Sequence, residues 1–140
     1  MEMIIIKFVF ALNLILLAAD HIFTGALGMF FPKRAARVYS KLFGAEIPEK
    51  KEYLVILKPW GALGIFAGLV GLLPVIDPEK YIWILCALVA LLFMRLMYRL
   101  KFQKEAESSL KLTRERNLSH VGLILLCVSV IIAQIIFYSR

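Results

Sequence analysis

KPWGALGIFAGLVGLLP, residues 58–74, is the stretch whose reading decides the fold. Its glycines stand at Gly61, Gly64, Gly68 and Gly71, a three-four-three spacing that puts all of them on one stripe of a helix. Gly64 and Gly68 make a GxxxG pair, while Leu63, Phe66, Val70 and Leu73 lie largely away from the stripe. Each glycine costs a helix in water about 1 kcal/mol relative to alanine, so a helix carrying four of them needs a compensating contact. A bilayer supplies the setting. With no side chain in the way, a second helix packs backbone to backbone and gains dispersion contacts that lipid does not match. The stretch therefore predicts a membrane helix with a glycine packing face.

The rest of the composition agrees. Of 140 residues 61% are hydrophobic, and the mean hydropathy of +0.82 is far above that of water-soluble domains. A chain this short cannot bury so much apolar surface in its own interior, so lipid is the expected solvent. The net charge of +7 would suit nucleic acid if the basic residues formed a patch. They flank apolar runs instead, which excludes a nucleic-acid partner and fits membrane topology.

Four spans follow from the apolar runs, at about 4–28, 53–73, 81–98 and 120–138. The first run, Met3 to Phe31, has no positive charge ahead of it and reads as a retained helix with Lys7 snorkelling to the surface. At 1.5 Å per residue it reaches about 43 Å, so it is either tilted or ends near Gly25–Gly28. In the first loop, Ala35, Val38, Tyr39, Leu42 and Phe43 share a helical face, with Lys33, Arg34, Arg37 and Lys41 elsewhere. That pattern reads as a short amphipathic helix on the headgroups ended by Gly44, or else as a solvated basic loop. Pro59 predicts a kink or helix restart near Lys58, because its ring clashes with the Val55 carbonyl. Pro74 and Asp77-Pro78-Glu79-Lys80 predict a tight hairpin. Residues 101–117 are polar and extend the third helix or leave it, and Ser119 is the expected N-cap of the last span. The resulting fold class is all-α: a polytopic membrane protein built as one four-helix bundle with a short amphipathic interfacial helix in its first loop.

Orientation follows from the basic residues. Loops 32–58 and 95–119 hold seven each, fourteen in all, against Lys7, Lys80 and Arg140 on the other side. The positive-inside rule then places both loops in the cytoplasm and both termini across the membrane, most simply a bacterial inner membrane. Cys86 and Cys127 fall at depths that differ by more than the ~7 Å Cα separation a disulfide spans, so both are expected to be free thiols. No spacing of histidines, cysteines and acids suggests a metal site.

Ionisable residues within apolar runs are the candidate functional groups. They are Asp20 and His21 on the first span, Lys58 on the second, Arg95 on the third and His120 on the fourth, all in the loop-side half. In one reading they form a polar pocket, with Asp20 paired to Lys58 or Arg95 and a histidine touching the head of a lipid-like or quinone-like ligand. In the other, Lys58, Arg95 and His120 snorkel separately and Asp20-His21 marks a helix end. No nucleophile–base pairing, HExxH sequence, phosphate loop or haem motif is present, which leans away from an enzyme and leaves any cofactor unspecified.

The layout, with Gly61-Ala62-Leu63, Gly68 and Pro74 followed by a charged turn and an aliphatic third span, resembles the DoxX-like superfamily of small membrane proteins. That resemblance implies a compact four-helix bundle. It also implies either association with quinone-linked oxidoreductase complexes or a role as an assembly partner for a larger membrane protein. The expectation is an accessory or apolar-ligand-binding bundle, acting with another membrane protein or as a homo-oligomer. The alternative is a small enzyme or redox subunit working on a lipid-soluble substrate through the polar cluster.

Overall fold

The computed structural model describes residues 2–43 and 47–139, and every described element is helical. In chain order these are α1 (Glu2–Phe30), α2 (Pro32–Phe43), α3 (Lys51–Gly71), α4 (Leu73–Ile76), α5 (Ile82–Lys101), α6 (Gln103–Leu110) and α7 (Arg114–Tyr138). Four stretches, Met3–Phe30, Lys51–Ile76, Ile82–Lys101 and Arg114–Tyr138, are long and apolar enough to cross a membrane. The expected terminator Gly44 lies outside the described residues.

Several helix boundaries differ from the sequence reading, each for a local reason. α1 does not stop near Gly25–Gly28 but continues to Phe30, because both glycines are packed against α3. α3 runs unbroken through Pro59, and the restart comes at Leu72 instead. There Leu72 N–H donates to Leu69 O at 3.2 Å and Val75 N–H to Leu72 O at 3.0 Å, both tight i→i−3 bonds. Pro74 is the cause, since it has no N–H for the Val70 carbonyl and its ring crowds that oxygen. The following turn is fixed by Asp77 Oδ1, which accepts from Lys80 N–H at 3.0 Å. The third long helix ends at Lys101; α6 is separate and is closed by Lys111, whose φ of 49° is left-handed. Thr113, not Ser119, is the N-cap of α7, its side chain accepting from Arg116 N–H. Ser119 lies inside the helix and donates to Glu115 O. Arg114-Glu115-Arg116 are good helix formers, and Glu115 in the first turn complements the helix dipole, so the helix starts well before the apolar run does.

The bundle is two helix pairs set side by side. α1 and α3 make the most extensive contact and α5 with α7 the next, while contacts between the pairs are sparse. Gly61, Gly64 and Gly68 of α3 meet α1 through Gly25, His21 and Ala18. A Cβ on Gly25 would stand 2.6 Å from Gly61 O, and one on Gly68 would stand 2.8 Å from Ala18 O. Nothing larger than hydrogen fits at these positions, and the chain itself fills the stripe. Gly71 is different: it faces the Leu88 side chain of α5 at an ordinary 3.8 Å.

The second pair packs through side chains. Ile84, Leu85, Leu88, Leu92 and Leu96 repeat every three or four residues along α5 and meet Val121, Ile124 and Ile131 of α7, with Leu14 of α1 closing the core. Asn117 and Gln134 are the buried polar residues of α7. Arg99 Nη1 donates to Asn117 Oδ1 at 3.1 Å, whereas Gln134 Oε1 and Asn13 Nδ2 have no partner among the described residues. Outward faces are apolar instead of polar, with Ile4, Phe8, Phe66 and Leu126 all exposed. Cys86 is exposed, Cys127 half-buried, and both are free thiols.

Candidate functional site: a polar cleft beside the glycine pair

The tight α1/α3 contact and the sparse contact of α3 with α5 together leave a cleft of about 340 Å³ between them. α1 lines it with Asp20, His21 and Thr24, α2 with Tyr39, α3 with Trp60, Leu63, Gly64 and Ala67, and α5 with Leu91 and Arg95. Spacing explains the α1 contribution: Asp20 and Thr24 are one turn apart and His21 adjoins them on the same side. Gly64 adds no side chain, which keeps the floor open.

Hydrogen bonds fix most of the polar groups. His21 Nδ1 donates to Leu17 O at 2.8 Å. A carbonyl only accepts, so the ring proton sits on Nδ1 and Nε2 carries a lone pair. That lone pair accepts from Arg95 Nη1 at 3.1 Å, a bond that joins the α1/α3 pair to the α5/α7 pair. Thr24 Oγ1 donates to Asp20 O at 2.6 Å, and the Tyr39 hydroxyl donates to Thr24 O. Burial, and after it the Asp20 carboxylate, raises the Tyr39 hydroxyl above its ordinary value, so the phenol stays protonated as a donor. The Asp20 side chain is half exposed, and its one ion-pair contact among the described residues is His21 Nδ1 at 3.9 Å.

Of the five residues singled out from sequence, the cleft therefore gathers Asp20, His21 and Arg95. Lys58 is exposed on α3, is not part of the cleft, and makes no hydrogen bond or ion pair among the described residues. Asp20 pairs with neither Lys58 nor Arg95; the partner of Arg95 is His21. His120 turns back along its own helix, with Nδ1 donating to Arg116 O at 2.8 Å, and does not line the cleft. Sequence reading missed Thr24 and Tyr39. Thr24 was legible one turn after Asp20. Tyr39 reads as part of an apolar face, and only the docking of α2 against α1 reveals its hydroxyl at the cleft. On α2 the buried residues are Ala35 and Ala36, while Leu42 is exposed, a small rotation from the expected face.

Most polar groups of the cleft are engaged with one another or with backbone carbonyls. Both His21 nitrogens are engaged, and among the described residues no group of three or more His, Cys, Asp or Glu could hold a metal. What stays open is the Asp20 carboxylate, the remaining Arg95 N–H groups and the Trp60 indole N–H, beside an apolar wall of the Trp60 ring, Leu63 and Leu91. Comparison of the chain with protein-family models, with curated proteins and with solved structures returns no match.

Proposed function

We propose that this chain is an integral membrane protein that binds the polar end of a lipid-like ligand in the cleft formed by α1, α2, α3 and α5. One observation carries the proposal: Asp20, His21, Thr24 and Arg95, on helices apolar enough to lie in a bilayer, converge with Tyr39 of α2 beside Trp60, Leu63 and Leu91. Charged groups in such a setting are costly unless they serve a polar guest or each other. The basic loops support an orientation with 32–52 and 99–119 cytoplasmic, in a membrane such as the bacterial inner membrane. α2, with Lys33, Arg34, Arg37 and Lys41 exposed, then lies along the headgroups of that leaflet. The cleft opens in the same half, where a lipid headgroup is found. The DoxX-like resemblance adds an accessory role toward a larger membrane complex or a second copy of the chain. Such contacts fall to the outward faces carrying Phe66 and Leu126, because the glycine stripe is occupied by α1.

Mass spectrometry of the intact protein released from mild detergent tests the reading. The wild-type chain is expected to carry a lipid-sized adduct, and Ala67→Phe, which fills the cleft from its apolar wall, to lose it. An adduct-free wild type, or an adduct indifferent to Ala67→Phe, rejects the proposal.

A further inference from the structure

We infer that the headgroup this cleft takes is zwitterionic, a primary ammonium beside a phosphate, as in phosphatidylethanolamine. The inference rests on the lipid-binding reading above and concerns only the class of headgroup. It follows from which polar functions are already satisfied. The Thr24 proton is spent on Asp20 O, the Tyr39 proton on Thr24 O and the His21 proton on Leu17 O, and the His21 lone pair is spent on Arg95. Two charged functions are left, and they have opposite sign; the Trp60 indole N–H is a neutral donor beside them. Asp20 offers carboxylate oxygens, which only accept. Arg95 offers its remaining N–H groups, which only donate. No ion pair joins these two residues among the described ones, and they stand on helices from different pairs. His21 stands between them, its Nδ1 3.9 Å from Asp20 Oδ2 and its Nε2 3.1 Å from Arg95 Nη1, so the two charges are poles on either side of one imidazole.

Each ligand class meets these poles differently. A quinone, with carbonyl acceptors and no donor, suits Arg95 but leaves the Asp20 carboxylate facing another acceptor. An anionic headgroup such as phosphatidylglycerol suits Arg95 but sets a second negative charge near Asp20. A quaternary ammonium brings positive charge to Asp20 without an N–H to donate. A primary ammonium with a phosphate satisfies both, through charge-assisted hydrogen bonds at each end. Trp60, Leu63 and Leu91 then receive the start of an acyl chain. The His21–Arg95 bond makes His21 a positioning residue, holding the guanidinium toward the cleft.

The experiment offers the detergent-purified full chain an equimolar mixture of phosphatidylethanolamine, phosphatidylcholine and phosphatidylglycerol, and counts retained lipid by mass. Wild type is expected to prefer phosphatidylethanolamine by roughly tenfold over each of the others, the scale of one charge-assisted hydrogen bond. Asp20→Asn should flatten that preference while lipid is still retained, and Arg95→Gln should lower retention of all three. Asp77→Asn, in the distant turn, should leave the wild-type preference in place. Retained lipid that shows no headgroup preference, or favours phosphatidylglycerol, while remaining sensitive to Ala67→Phe, overturns the headgroup assignment and leaves lipid binding standing. A preference that survives Asp20→Asn also overturns it. If wild type retains no lipid at all, both proposals fall together.

Discussion

Between α1 and α3 the backbones touch, with Gly61 against Gly25 and Met29, and Gly64 within 3.2 Å of the His21 carbonyl oxygen were a Cβ placed there. Between α5 and α7 the backbones are held apart by Leu85, Leu92, Ile124 and Ile131, all buried. The two pairs respond differently to substitution because they draw on different sources of stability. In water a buried leucine gains about 1.5–3 kcal/mol from leaving solvent. For any helix pair in lipid most of that gain is absent, since acyl chains are as apolar as leucine, and what is left is closeness of fit. The glycine pair maximises closeness and tolerates no addition. The leucine pair depends on filled volume and tolerates no deletion.

The comparison breaks most sharply at Gly61. Gly61→Ala should cost about 3 kcal/mol or more, since its Cβ meets backbone that cannot rotate away. Gly122→Ala, where nothing lies within 4 Å, should be neutral or slightly stabilising. Thermal melts of the two alanine variants in detergent check this, and equal losses would show that the α1/α3 approach is looser than described. Next in size is Leu85→Ala, expected to cost about 2–4 kcal/mol through the cavity it leaves in the second pair. The opposite sign is expected at Gln134, whose Oε1 is buried without a partner among the described residues. Gln134→Leu should raise the melting midpoint, by about 1 kcal/mol of stability; a lower midpoint would mean that a bound water or ligand completes that amide.

The smallest effect lies outside both pairs. The Arg37 guanidinium, which donates to Glu49 Oε1 at 2.9 Å, holds the Glu49 carboxyl below its ordinary value. A depressed carboxylate pKa contributes stability that is present above the unfolded-state value and lost as pH falls through the folded-state value. Both side chains are substantially exposed, so salt should weaken the contribution. The gap between wild type and Glu49→Gln in a thermal melt should be visible at neutral pH and close in acid. A gap that persists at acidic pH or in high salt would assign it to packing.

Length and hydropathy made the four apolar helices legible, because both are properties of runs and survive any tertiary arrangement. The glycine spacing identified a face of α3 but not its neighbour. That neighbour is α1, where Gly25 and Gly28 read as a possible helix end and not as a packing face shared with Ala18. The start of α7 differs because its capping residue, Thr113, lies outside the apolar run, and of the kink or restart expected at Pro59 the restart does not occur. At the cleft, counting buried charges found Asp20, His21 and Arg95 but could not separate them from Lys58 and His120. All five fall toward the loop-side ends of their apolar runs in the sequence. What distinguishes them is rotation about the helix axis and which neighbouring helix stands opposite, and both are settled by packing.

The extensive contacts join the first long helix to the second and the third to the fourth. Each pair is therefore a hairpin of neighbours in the chain, and few residues need emerge from the ribosome before its two halves can meet. The α1/α3 contact needs no residue of α5 or α7, so nothing in it has to wait for the second half of the chain to be made. The cleft does have to wait, because Leu91 and Arg95 of α5 line it.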